Sequence, residues 1–130
     1  MIVIDASALL EALIGTPSAS LVEAYIFQTD QTIHAPHLLD LEVAQVLRRF
    51  VLGGRITLAR AQQALAHLTN LQPFRYPHDF LLPRVWELRA NVTAYDAVYI
   101  ALAEYLGAPL VTRDRRMANA VGHHAQIELV

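Results

Sequence analysis

The sequence predicts an α/β domain built on a parallel sheet with helices over both faces. Three observations carry this expectation. Short apolar runs such as Ile2 to Ile4 and Leu110 to Thr112 alternate with longer segments of helical periodicity. Strands separated by helices are the pattern of a doubly covered parallel sheet. A chain of 130 residues, 55% hydrophobic and 17% charged, has the size of one domain, residues 1–130, with a real core.

The elements follow in order. Ile2 to Ile4 reads as a buried strand, and Ser7 to Ile14 as a short helix that stops near Gly15-Thr16-Pro17. Ser18 to Gln28 reads as a second helix, capped by Ser18 or Ser20, with Leu21, Val22, Tyr25 and Ile26 as its apolar stripe. Thr32 to Ala35 is a short strand before Pro36. Leu38 to Leu52 is a strong helix ended by Gly53-Gly54, and Thr57 caps the next, Leu58 to Leu68; together they form an αα-hairpin. Leu71 to Tyr76 is strand-like. Phe80 to Arg89 is helical, with Pro83 tolerable only in its first turn. Ala94 to Leu106 is apolar nearly all round and is expected to be deeply buried. Leu110 to Thr112 is a strand, Arg115 to Val121 a helix and Gln126 to Leu129 a last strand.

Composition removes several classes of function. Without cysteine there is no disulfide, zinc–thiolate site or thiol nucleophile. The N-terminus lacks a basic signal region and its apolar run breaks at Asp5, and no segment reaches ~18 uninterrupted apolar residues. The chain therefore reads as cytoplasmic, with no membrane partner. All ten basic residues are arginine. Either the base composition of the gene or a preference for guanidinium contacts to phosphate accounts for that.

Four acids stand where an α/β sheet gathers its ligand edge. Asp5 ends the first strand and Asp114 follows the Leu110–Thr112 strand; ligands in such sheets bind outside the carboxyl ends of the strands. Glu42 borders the apolar stripe of Leu39, Val43, Val46, Leu47 and Phe50. Asp40, two residues away and about 160° around the helix, reads as a cap or dipole charge. Asp96 enters the most apolar helix of the chain, where a carboxylate must cap, pair or bind metal. Taken singly, each acid has a structural explanation. Taken together they do not, since two carboxylates about 5 Å apart repel by about 3 kcal/mol at an effective dielectric of about 20. Protons or a cation must offset such a cluster, and oxygen-only ligands suit Mg²⁺ or Mn²⁺. The histidines show no metal-binding spacing; His34, His37, His67, His78 and the His123-His124 pair read as structural or solvent-facing.

The segments "VIDASAL" with Asp5, "LEVAQVL" with Glu42, "YDAVYIALAE" with Asp96 and "LVTRD" with Asp114 resemble those of PIN-domain ribonucleases, and more narrowly of VapC-type toxins of type II toxin–antitoxin pairs. The resemblance spans essentially the whole chain, and its most specific piece is "YDA" followed by "ALAE". It implies a three-layer α/β/α sandwich, PIN-like, with a protruding αα-hairpin. It also implies that Asp5, Glu42, Asp96 and Asp114 converge as metal ligands and catalytic groups on one or two Mg²⁺ or Mn²⁺ ions, beside the hydroxyls of Ser7 and Thr112. Many relatives carry a further acid shortly after the position of Asp114, where this chain has Arg115, Arg116 and Met117. The implied function is a metal-dependent endoribonuclease acting as a toxin, in a homodimer, with a small cognate antitoxin over the cleft; DNA enters only through that antitoxin.

Elementary chemistry agrees. A cation that polarises phosphate and acidifies water, with a carboxylate to accept the proton, needs no serine–histidine or cysteine pair. Twelve acids less these four leave eight against ten arginines, a modestly positive surface for RNA, with Arg49, Arg113, Arg115 and Arg116 as candidate contacts. Receiver-type phosphoacceptors and haloacid-type phosphatases also place aspartates at strand ends, but both use a lysine, and this chain has none. A non-catalytic RNA-binding or interaction module with a decayed site is the remaining alternative; the presence of all four acids argues against it.

Overall fold

The computed structural model describes residues 1–130. Strand β1 (Ile2–Ile4) is buried at all three positions and passes through Asp5 into helix α1 (Ala6–Ile14). Gly15, in the left-handed region at φ 74°, ends that helix where the sequence places its stop. Helix α2 (Ala19–Ile26) follows; Ser18 occupies its cap position without a side-chain bond. Strand β2 (Ile33–Pro36) leads into α3 (Leu38–Leu52), whose inner stripe is Leu39, Val43 and Leu47. Helix α4 (Leu58–Leu71) is capped by Thr57, which accepts from the Arg60 amide. It runs three residues further than its sequence pattern suggests, and strand β3 is correspondingly short (Phe74–Tyr76). After a 3₁₀ turn at Asp79–Leu81 comes α5 (Leu82–Glu87), with Pro83 in the first turn, where a missing N–H costs nothing. Helix α6 (Ala94–Leu106) is followed by β4 (Leu110–Thr112), a single turn α7 (Arg115–Ala118) and β5 (Ile127–Leu129).

All five strands are parallel, in the order β3-β2-β1-β4-β5. The register sets Val3 against His34 on one side and Leu110 on the other. Right-handed crossovers put α1 to α4 on one face and α5 to α7 on the other, a three-layer sandwich. The core lies between these layers. On one side α6 packs across β1, β2 and β4 with seven consecutive buried residues, Ala97 to Ala103. On the other, Leu9, Leu13, Leu39, Val43 and Leu47 close over the sheet. The α3–α4 hairpin packs its base on α1 through Ala61, Ala64 and Leu68, and its tip, Leu52 to Arg55, is exposed. The Arg60 guanidinium pins it there by donating to the Leu13 and Ile14 carbonyls at the open end of α1.

Candidate active site

The strand order reverses between β1 and β4, the switch point where an open parallel sheet leaves a crevice. Asp5 leaves the carboxyl end of β1, and Asp114 lies two residues beyond β4. Glu42 stands in the second turn of α3 and Asp96 in the first turn of α6.

Asp5 is both a helix cap and a member of a polar cluster. Its Oδ1 accepts from the Ala8 amide at 2.9 Å, capping α1. Its two oxygens also accept from the Ser7 hydroxyl at 2.8 and 2.9 Å and from the Thr112 hydroxyl at 2.6 Å. Those hydroxyls in turn accept from the Arg113 and Asp114 amides, at 3.0 and 2.9 Å. The ends of β1 and β4 are thereby locked together around one buried carboxylate, with Ser7 and Thr112 as the link.

Glu42 accepts through Oε1 from the hydroxyl of Tyr99 at 2.7 Å. Asp96 is not the cap of its helix. Thr93 is: its hydroxyl accepts from the Asp96 amide at 3.2 Å, and the Asp96 carboxylate lies within electrostatic reach of Asp114 and Glu42. Asp114 caps α7, accepting from the Arg116 and Met117 amides at 2.8 and 3.4 Å.

Three of these acids have a raised affinity for protons, and the first cause is the same for each. Burial pushes Asp5, Glu42 and Asp96 above the ordinary carboxylate range. Hydrogen bonds oppose this at Asp5 (Thr112, Ala8, Ser7) and at Glu42 (Tyr99). Mutual repulsion adds to it: Asp96 acts on Asp5, Asp5 and Asp96 act on Glu42, and Asp114 acts on Asp96. The four charges therefore share one field. No guanidinium pairs with Asp5, Glu42 or Asp96; the arginine partners in the chain go to Asp40, Glu87, Glu104, Glu11 and Asp114.

As the side chains stand, no three of these acids are drawn tightly enough together to hold an ion. Asp5, Glu42 and Asp114 are each held by their own hydrogen bonds, and like charges keep apart. The donor set nonetheless fits a hard divalent cation: oxygen ligands from four separate elements, three of them without a cationic partner and penalised by burial.

A cleft of about 490 Å³ opens beside them, lined by Ser7, Glu42, Arg49 and Tyr95 among others. An apolar cavity of about 250 Å³ adjoins it, sharing Leu38 and Tyr95. Among the candidate RNA contacts, Arg49 stands in the cleft wall, and Arg116, 94% exposed, is close enough to lower the proton affinity of Asp96. Arg115 is exposed on α7. Arg113 is engaged elsewhere, paired with Glu11 at 3.5 Å and donating to the Val130 carbonyl, so it is the least free of the four. Asp40, read from the sequence as a cap or dipole charge, stands in the first turn of α3, makes no cap bond, and is also the bidentate partner of Arg75 on β3, at 2.6 and 2.9 Å. His34 is buried between the Tyr76 and Thr32 hydroxyls, 2.8 Å from each.

Tyr99 is the residue near the site that sequence reasoning passes over. A signal was present: a phenol in the most apolar helix must find an acceptor, and it stands one turn after Asp96 on the same face.

Residues 2–122 match the PIN domain family. The chain is 44% identical to ribonuclease VapC1 of Mycobacterium tuberculosis over 129 residues, covering 98% of this chain and 96% of that protein. It is 38% identical to ribonuclease VapC12 of the same species over 130 residues, covering 100% and 99%. Among solved structures, PAE2754 from Pyrobaculum aerophilum superposes with a TM-score of 0.70 at 25% identity, over 97% of this chain and 81% of that one. The VapBC2 structure from Rickettsia felis, bound to a DNA fragment from its promoter, superposes with a TM-score of 0.72 over 100% and 99%, and at 13% identity shares the fold alone.

Proposed function

The chain belongs to the PIN-domain family, as a VapC-type toxin, and from that premise we propose that it is a metal-dependent endoribonuclease that hydrolyses RNA phosphodiester bonds at the acidic crevice. The observation that carries this reading is the set of three acids, Asp5, Glu42 and Asp96, brought from three distant elements, raised in proton affinity by burial and by one another, and left without a cationic partner. The relatives named as ribonucleases support it over nearly the whole length of the chain.

Asp5, Asp96, Asp114 and Glu42 would hold Mg²⁺ or Mn²⁺, which when bound supplies charge to polarise the scissile phosphate and to acidify water. The protein does the rest. Ser7 and Thr112 keep Asp5 oriented by hydroxyl donation. One carboxylate of the four accepts the proton of the attacking water. Arg49 and Arg116 at the rim, with Arg115 beyond them, bind flanking phosphates and fix the strand.

The protein acts in the cytoplasm, where RNA is its substrate; no helix is long and apolar enough to cross a membrane. It works as a homodimer, for which the exposed Leu82 and Tyr95 lining the apolar cavity, with the exposed Leu41 of the adjoining cleft and the exposed Trp86 of α5, supply apolar surface. Its inhibitor is a small antitoxin that covers apolar surface and inserts a cationic side chain among the acids; DNA is reached only through that partner. Purified protein incubated with a total RNA pool, followed by end mapping, tests the reading. Cleavage with Mg²⁺ or Mn²⁺ that stops in EDTA is expected; cleavage indifferent to EDTA, or none with either ion, overturns it.

A further inference from the structure

We propose that Tyr99 is the positioning residue for Glu42, reaching from α6 to α3 so that one glutamate oxygen is held and the other is left for the ion or for water. The inference deepens the metal-nuclease reading and rests on it. Three observations carry it. The Tyr99 hydroxyl donates to Glu42 Oε1 at 2.7 Å, a well-formed hydrogen bond, and this is its only bond. The ring is 1% exposed and packed in the most buried stretch of the chain, so the hydroxyl has no freedom to swing elsewhere. Glu42 itself is half-buried on the cleft wall, and its Oε2 accepts no hydrogen bond from the protein.

A glutamate has three rotatable side-chain bonds, and nothing else in the protein restrains this one at its tip. Without the phenol, the neighbouring charges of Asp5 and Asp96 would drive Glu42 outward to water. With it, α6 contributes to the site twice: Asp96 directly and, one turn later, the hydroxyl that aims the acid of another helix. Partners of this kind typically change metal affinity or activity by about 10- to 100-fold when removed.

Tyr99→Phe keeps the ring and removes only the donor. Mn²⁺ uptake, followed by the electron paramagnetic resonance of the free ion, is expected to weaken about tenfold in this variant. On a short RNA containing a mapped cleavage site, kcat is expected to fall about 10- to 100-fold while KM holds. In a Glu42→Gln background, Tyr99→Phe is expected to change Mn²⁺ affinity no further. Wild-type Mn²⁺ affinity in Tyr99→Phe, or equal losses in both backgrounds, overturns the assignment of Tyr99 and leaves the nuclease reading standing. If the wild-type protein takes up no Mn²⁺ and cleaves equally in EDTA, the nuclease reading falls and the assignment with it. Should Tyr99→Phe fail to fold, the wild-type protein supplies the test by proton NMR. A slowly exchanging Tyr99 hydroxyl resonance that shifts on adding Mg²⁺ is expected, and one that does not move overturns the proposal.

Discussion

Helix α6 carries a carboxylate near each end, and the two have opposite fates. Asp96, in the first turn, is pushed above its ordinary 3.8 by burial and then by Asp114, with the Thr93 hydroxyl and Arg116 pulling weakly the other way. Glu104, near the last turn, is held below its ordinary 4.5, first by Arg84. The helix dipole alone predicts the reverse, since it favours negative charge at the N-terminus and penalises it at the C-terminus. Its contribution, about 0.3–1 kcal/mol, is too small to decide. Partners decide. Glu104 accepts from Arg84 Nε at 2.8 Å, from Nη2 at 3.0 Å and from the His124 amide at 2.7 Å. Arg84 also donates to Glu87 and to the Gly122 carbonyl, tying α5, α6 and the approach to β5 into one joint. One end of the helix is therefore a satisfied structural joint, and the other a set of acids held in mutual repulsion.

The largest test of this contrast is catalytic. Asp96→Asn should reduce RNA cleavage by at least about a hundredfold, whereas Glu104→Gln should leave the rate per folded molecule within about threefold of wild type; equal losses would erase the distinction. Next comes stability. Arg84→Ala removes the joint's only guanidinium and should cost about 1–2 kcal/mol in urea unfolding, with Mn²⁺ affinity unchanged. A smaller effect is expected at the cap: Thr93→Ala should cost about 1 kcal/mol, sharpening the point that Thr93, and not Asp96, closes the helix start.

The last effect is a slope with pH, measured in EDTA by thermal melts, and the two ends should give opposite signs. The folded state binds the Asp96 proton more tightly than the unfolded chain does. Its contribution is most favourable below the unfolded value of about 3.8 and is lost as pH rises through the raised folded value. Asp96→Asn should thus gain on wild type as pH climbs, and added Mn²⁺ should reverse that ordering. Glu104 behaves conversely: its contribution is present above about 4.5 and fades as pH falls through the depressed folded value. The deficit of Glu104→Gln should shrink towards acid. Parallel slopes for the two variants would break the comparison.

Much of this architecture was legible in the order of residues. The limits of α3, α6 and β4 follow from apolar periodicity, with the Gly53-Gly54 stop closing α3. The placement of Asp5 and Asp114 at one sheet edge follows from alternation of strands and helices, because parallel strands all point their carboxyl ends the same way. Signals of this kind act within one helical turn or one strand, so a linear pattern contains them.

Pairings across the chain were not legible. The resemblance placed Ser7 and Thr112 beside the acids, but that both hydroxyls close on Asp5, one of them 107 residues away, was decided by the register of β1 against β4. That Asp40 meets Arg75, and Arg113 meets Glu11, was decided by which strand and helix ends fall side by side. Tyr99 shows the division most clearly. Its sequence position determined that it would be buried and would need an acceptor. Only the packing of α6 against the start of α3 made that acceptor Glu42, because a hydrogen bond is specified by distance and direction in space, which residue order alone does not encode.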